Sequence, residues 1–187
     1  MPERLTGQFL IAAKRLRDSN FYQSIVLIVE HGAGGAMGLI VNRPSDITVV
    51  QALEAHFELP DSDDKVFTGG PVEQAALFIL HNSREFDGAE SPVVPGLYVG
   101  TNAQVFEAVV RQAAEGVRRV KYRIFAGCSG WSAGQLEGEL ARGDWLVTPA
   151  TLDLIFHDDP YQVWNLLMRR VSTPDFVIDP PENPEWN

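Results

Sequence analysis

The stretch Gly127-Cys-Ser-Gly-Trp-Ser-Ala-Gly-Gln-Leu-Glu137 gathers the side chains best suited to chemistry. Residues 119–126 before it read as a strand and residues 132–141 after it as a helix. The stretch is therefore expected to be a strand-to-helix turn, where converging backbone N–H groups and the helix dipole favour an anion. A plainer reading stands beside this one. Ser132 and Gln135 have capping-box spacing, and a tight turn closed by a good cap needs its glycines whether or not it binds anything. Gly130-Trp-Ser-Ala-Gly134 also fits the Gly-x-Ser-x-Gly pattern of a nucleophile elbow, and Asp144 or Asp153 followed by His157 supplies the chain order Ser, acid, His. A hydrolase of that kind needs a long parallel sheet, however, and only 55 residues follow Ser132. The cap is the preferred role for Ser132. Cys128 would be a nucleophile only with a lowered pKa and a partner such as His31, His81 or His157; a small buried thiol is the simpler expectation.

Other chemistries find less support. The four histidines (31, 56, 81 and 157) are scattered, and neither His-x-x-x-His nor Cys-x-x-Cys occurs, so no metal site is expected. Thr68-Gly-Gly-Pro-Val72 lacks both P-loop and dinucleotide-binding spacing and reads as a kink where two backbones pass closely; no cofactor is expected. Glu30-His31 and His81 each end a buried strand and could meet at one rim.

Elements must position these groups. Residues 7–13 read as a short strand. Residues 24–31 are β-branched and apolar enough to be covered on both faces. The glycine-rich residues 32–36 then turn the chain into residues 37–42, making a hairpin, with Pro44 expected to stop its second strand. Thr48 should cap a helix reaching about Phe57. Residues 75–81 and 97–100 read as strands. Residues 103–115 form an amphipathic helix between the cap Asn102 and the terminator Gly116. A strand at 145–148 and a helix at 160–171, opened by Asp159 and Pro160, complete the pattern. The acidic, proline-rich tail from Thr173 could add an edge strand at residues 176–178. Hairpins mixed with strand–helix–strand units imply an α+β domain with a mixed sheet.

The chain has 187 residues, 15 Lys+Arg against 25 Asp+Glu and a net charge of −10, with 45% hydrophobic residues. That is a globular composition, not a disordered one. No apolar run approaches the ~18 residues of a membrane span. The start lacks the basic and apolar regions of an export signal, and the single thiol suits a reducing cytoplasm. The charge opposes direct nucleic-acid binding. The clusters Lys14, Arg15, Arg17 and Arg118, Arg119, Lys121, Arg123 read as solvated surface.

Taken together, Gly7-Gln-Phe-Leu-Ile-Ala12 with Asp18 and Phe21, Glu30-His31, Gly35-Ala-Met-Gly-Leu-Ile-Val-Asn42 with Pro44, Phe67-Thr-Gly-Gly-Pro-Val72, Leu80-His81, Gly130-Trp131, Gly134-Gln-Leu-Glu137 and Trp145 resemble the AlgH/YqgE family of bacterial proteins. The resemblance implies one domain over residues 1–178, followed by a tail at 179–187. Its expected core is a closed or flattened β-barrel-like sheet flanked by helices. It also implies a regulatory role, since the family's name comes from a proposed function in alginate synthesis and carries the label of transcriptional regulator. The family commonly has glycine at the position of Ser132 and various residues at that of Cys128, which weakens both as catalysts. The matched polar and turn residues Glu30, His31, Asn42, Gly69, Gly70, Pro71, His81, Gly130, Trp131 and Gln135 are the expected ligand-binding set, for a small molecule or a protein partner.

Overall fold

The computed structural model describes residues 4–86, 91–116 and 119–172. Arg118, the edge strand expected at 176–178 and the expected domain boundary at 178 lie outside these residues. In chain order the elements are β1 (Gln8–Ala12), β2 (Ile25–Gly32), β3 (Gly35–Ile40), β4 (Pro44–Thr48), α1 (Val49–Leu53), β5 (Lys65–Thr68), β6 (Val72–His81), β7 (Tyr98–Gly100), α2 (Ala103–Glu115), β8 (Tyr122–Ser132), α3 (Gln135–Ala141), β9 (Trp145–Pro149), α4 (Leu152–Ile155) and α5 (Val163–Ser172).

The nine strands join in one sheet of order β4-β5-β8-β3-β2-β1-β9, with β6 and β7 branching from β8. Pairing is antiparallel except between β5 and β8, so the sheet is mixed. It does not close: β9 and β4 end the path, and the flattened alternative describes the molecule.

β8 unites the two halves. Its residues 124–126 lie between β5 and β6, while 129–132 pair with β3. The turn expected at Gly127 is therefore a correction: the strand runs on to Ser132. Gly127 takes φ +74°, and the β6 register beside it shifts between Val72 and Leu77. This irregularity changes which face the strand presents. Phe125 and Cys128 both join the central core, and Trp131 reaches the opposite side of the sheet.

The kink at Gly69-Gly70 is as expected. Gly69 donates its N–H to Ala126 O at 2.9 Å, and its carbonyl accepts from Ile40 N at 2.9 Å and Ser129 Oγ at 3.1 Å. A Cβ on Gly69 would sit 2.2 Å from Gly127 O, and one on Gly70 (φ +155°) 2.2 Å from Cys128 O.

Period-two alternation sorts side chains into three cores. Phe9, Ile11, Leu27 and Leu39 face Phe67, Leu80 and Phe125 across the fold, and α4 and α5 complete this central core with Leu154, Val163 and Leu167. On the outer face of β1–β3, Leu10, Val26 and Ile28 pack with Trp131, Trp145 and Leu136 of α3. Val66, Ile79 and Ile124 face outward from the other half under Val49 and Leu53 of α1 and Phe106, Val109 and Val110 of α2. Ile25–Ile28 are fully buried, as a strand covered on both faces must be.

Local signals explain most element ends. Asn102 caps α2 and Gly116 ends it at φ +63°. Thr48 and Gln51 form a reciprocal capping box at α1, but that helix stops at Leu53 rather than near Phe57. The expected stop at Pro44 is corrected: β3 already ends at Ile40, and Pro44 instead opens the edge strand β4, a position that needs no N–H from it. β4 and the one-turn helix α4 carry no periodic signal long enough to read.

The close approach yields a prediction. Gly70→Ala should cost about 3 kcal/mol or more, combining overpacking with a disfavoured φ. Gly34→Ala, where an added Cβ meets nothing within 4 Å, should stay within about 0.5 kcal/mol. Urea midpoints of the two variants measure the contrast.

Candidate functional site: the β2–β3 hairpin end

The hairpin register shifts between Ile28 and Glu30. That bulge changes which way the following residues point, and His31 faces α3. His31 Nδ1 accepts the Leu5 N–H at 3.1 Å. Nε2 must then carry the proton of the neutral ring, and it donates to Glu137 Oε1 at 2.9 Å. This hydrogen bond, first among the causes, holds the Glu137 carboxyl below its ordinary range. One imidazole thus ties the N-terminal segment to α3.

Trp131 lies opposite Ala36 across the β3–β8 pairing. Its ring stacks on Phe21 at 6.0 Å and meets Trp145 edge-on at 6.1 Å. Glu139 holds this aromatic group in place. Its Oε2 accepts the indole N–H of Trp131 at 2.9 Å and that of Trp145 at 2.8 Å, while Oε1 accepts from Gln135 Nε2 at 3.1 Å. Glu139 was not among the expected site residues. The i,i+4 spacing of Gln135 and Glu139 hinted at contact, but nothing in the sequence said that two tryptophans would converge there.

A cleft of about 580 Å³ opens at this end of the hairpin, lined by Arg4, Thr6, Glu30, His31, Gly34, Met37 and Trp131 among others. It brings together Glu30, His31 and Trp131 of the expected set. His31 and Trp131 are buried, whereas Glu30 and Arg4 are exposed. The cleft thus has an aromatic and imidazole wall, one carboxylate and one guanidinium, beside the glycine backbone of the turn.

The remaining expected residues stand elsewhere. Asn42 accepts Ile25 N–H at 2.8 Å and donates to Gln23 O at 2.9 Å, fixing the entry to β2. Gly69 and Gly70 make the close backbone approach, and the exposed Pro71 leads from it into β6. Gly130 pairs with Met37. Gln135 serves Ser132 and Glu139. His81 does not share the cleft with Glu30 and His31. It lies at the end of β6 opposite Tyr98 and Tyr122, stacked on Tyr98 at 5.8 Å.

The alternative nucleophiles both take structural positions. Gly134, in the left-handed region, occupies the N-cap of α3, so the expected cap at Ser132 is corrected: pairing with Gly35 keeps Ser132 in β8. Half of the anticipated box survives, with Gln135 Oε1 accepting from Ser132 N at 3.0 Å and Oγ at 3.3 Å. Cys128 is buried in the central core, and burial, followed by the charge of Glu73, pushes its thiol up. That is the reverse of activation.

Arg123 departs from the solvated reading of its cluster. It donates from Nε to Ile155 O at 2.7 Å and from Nη2 to His157 O at 2.5 Å, lies 4.3 Å over the Phe67 ring, and burial pushes its pKa down to about 10.

Two outcomes are expected. Glu139→Ala, which deprives two indole N–H groups of their acceptor, should cost about 2 kcal/mol and alter the near-UV tryptophan circular dichroism, while Ser132→Ala should cost under about 0.5 kcal/mol. Cys128 should react with a thiol-specific disulfide reagent at least about a hundredfold more slowly in the native protein than in urea, as burial and a raised pKa both require.

Comparison with known proteins agrees with this architecture. Residues 9–174 match the AlgH-like family model, DUF179. A UPF0301 protein of Thioalkalivibrio sulfidiphilus is 41% identical over 172 residues, covering 89% of each chain. One from Methylococcus capsulatus is 39% identical over 173 residues, 90% of this chain and 92% of its own. The solution structure of the AlgH protein from Pseudomonas aeruginosa superposes with TM-score 0.71 at 32% identity, covering 93% of this chain and 92% of that one. A crystal structure of a Corynebacterium diphtheriae protein gives TM-score 0.75 at 25% identity, over 92% and 89%. With the family model spanning most of its length and relatives of this similarity, the chain belongs to the AlgH-like family.

Proposed function

We propose that the chain is a cytoplasmic binding module with a regulatory role, taking a small molecule or a segment of a protein partner at the hairpin-end cleft. The observation that carries this reading is the convergence of Glu30, His31 and Trp131 on one cleft of about 580 Å³, within the usual range for small-molecule sites. The wall is preorganised: Glu137 and Glu139 hold the His31 and Trp131 rings before any ligand arrives. The setting of Cys128 and Ser132 favours binding over thiol or hydrolytic chemistry. A net charge of −10 favours a regulatory action through ligands or proteins over direct contact with nucleic acid. Among the described residues no helix is long and apolar enough to cross a membrane. The binding module is taken as one domain over residues 1–178.

A thermal-shift screen against metabolites and short peptides tests the proposal. Ligand at 100 times its dissociation constant should add about 2.7 kcal/mol. The shift should vanish in Gly34→Trp, which fills the cleft from a position with open space, and weaken in Glu30→Gln. A ligand whose shift survives both substitutions binds elsewhere and overturns the assignment of this cleft.

A further inference from the structure

Two cavities lie side by side in the half of the molecule that holds β5, α1 and α2. One chamber, of about 460 Å³, has Lys65, Lys121, Arg123, Asp64 and Asp158 around Phe67 and Phe156. A neighbouring chamber of about 300 Å³ lies between α1 and α2, with Val49, Val50, Val110 and Ala114 on its helical walls and Pro60, Asp61 and Ser62 also lining it. The two share Asp64, Ala113 and Tyr122, and the hydrogen bond from Tyr122 Oη to Asp64 Oδ2, 2.8 Å long, stands where they meet. We propose that these chambers form one binding site for a small organic anion bearing a compact apolar group, the anion held at Arg123 and Lys121 and the apolar part between the helices.

Charge sets the polar end. In the chamber that takes the anion three cations face two carboxylates, one of which accepts from Tyr122, while the third carboxylate, Asp61, lines only the other chamber. The anion's chamber thus keeps one cation in excess on a chain of net charge −10. Arg123 is the anchor. Two of its five N–H groups are used on the carbonyls of Ile155 and His157, and Phe67 backs the guanidinium plane. The group is therefore fixed before binding and retains donors for a carboxylate or phosphate fork. Burial and the neighbouring Asp64 push the Tyr122 phenol up, so it stays a neutral hydroxyl at the divide. Volume sets the apolar end: a dry cavity of about 150 Å³ accepts benzene, so the chamber between the helices has room for one aromatic ring or a short branched chain.

The test is an amide NMR titration of the full chain with phenyl phosphate, set against inorganic phosphate and phenol. Phenyl phosphate should shift amides at residues 110–114 and 121–123 and bind about tenfold or more tightly than either fragment, since each fragment fills one chamber only. Lys121→Ala should weaken both phosphates. Ala114→Leu, at a residue that lines only the chamber between the helices, should weaken phenyl phosphate and leave inorganic phosphate unchanged. Equal affinity for phenyl phosphate and inorganic phosphate would overturn the proposal by showing that charge alone acts. So would shifts confined to other residues, or no binding at millimolar concentration; these readouts need no variant to fold.

Discussion

Two stretches of backbone cross at Gly69-Gly70 and Gly127-Cys128 so closely that no side chain fits between them. The rest of the fold follows from that contact. It lets a single strand, β8, belong first to the half containing β5 and β6 and then to the half containing β3. The Gly69 peptide bonds to both halves at once, giving its N–H to Ala126 and its carbonyl to Ile40 and Ser129. With the halves stitched there, their inner faces enclose one core and their outer faces are left for helices. Any residue larger than glycine would force the strands apart, and the central core with them.

The hairpin end shows how polar groups refine what apolar packing leaves loose. Trp131 and Trp145 could bury their rings in several orientations, but their N–H groups would then lack an acceptor. Glu139, only half-buried, satisfies both with one oxygen, so the carboxylate keeps contact with water while it orients the rings. His31 works by the same logic, with one ring nitrogen accepting and the other donating. Two carboxylates of α3, two residues apart, thereby set the wall of the cleft.

Much of the fold was legible because local chemistry and tertiary structure agree. The hairpin, α2 with Asn102 and Gly116, and the buried strands β1, β2 and β6 all announce themselves through periodicity and caps. Gly127–Ser132 misled because glycine-rich polar residues normally mark a turn, whereas here glycines permit a close crossing inside a strand. The identity of Gly134 as the cap of α3 followed from where β8 ended, a long-range fact. Arg123 failed for a related reason: a guanidinium beside other basic residues looks solvated until the carbonyls of Ile155 and His157 arrive from 32 and 34 residues away. Of the expected site residues, Glu30, His31 and Trp131 share a cleft because β2 and β8, which carry them, flank β3 on its two sides. Asn42, Gly69 and Gly70 were notable for backbone reasons, and residue type alone does not separate those from binding.

The sheet stays open, and open sheets expose unpaired N–H and carbonyl groups along their edges, a standing invitation to add strands from neighbouring molecules. Here the outer strands are ill-suited templates. β4 has five residues and starts with Pro44, β7 has three, and β9 has five and ends at Pro149. Leu146 and Val147 do reach solvent on β9, but the strand stops before a long ladder could grow. Brevity and proline thus serve the purpose that ring closure serves in a true barrel. They let the margins seen among the described residues stay open without becoming the seed of a fibre.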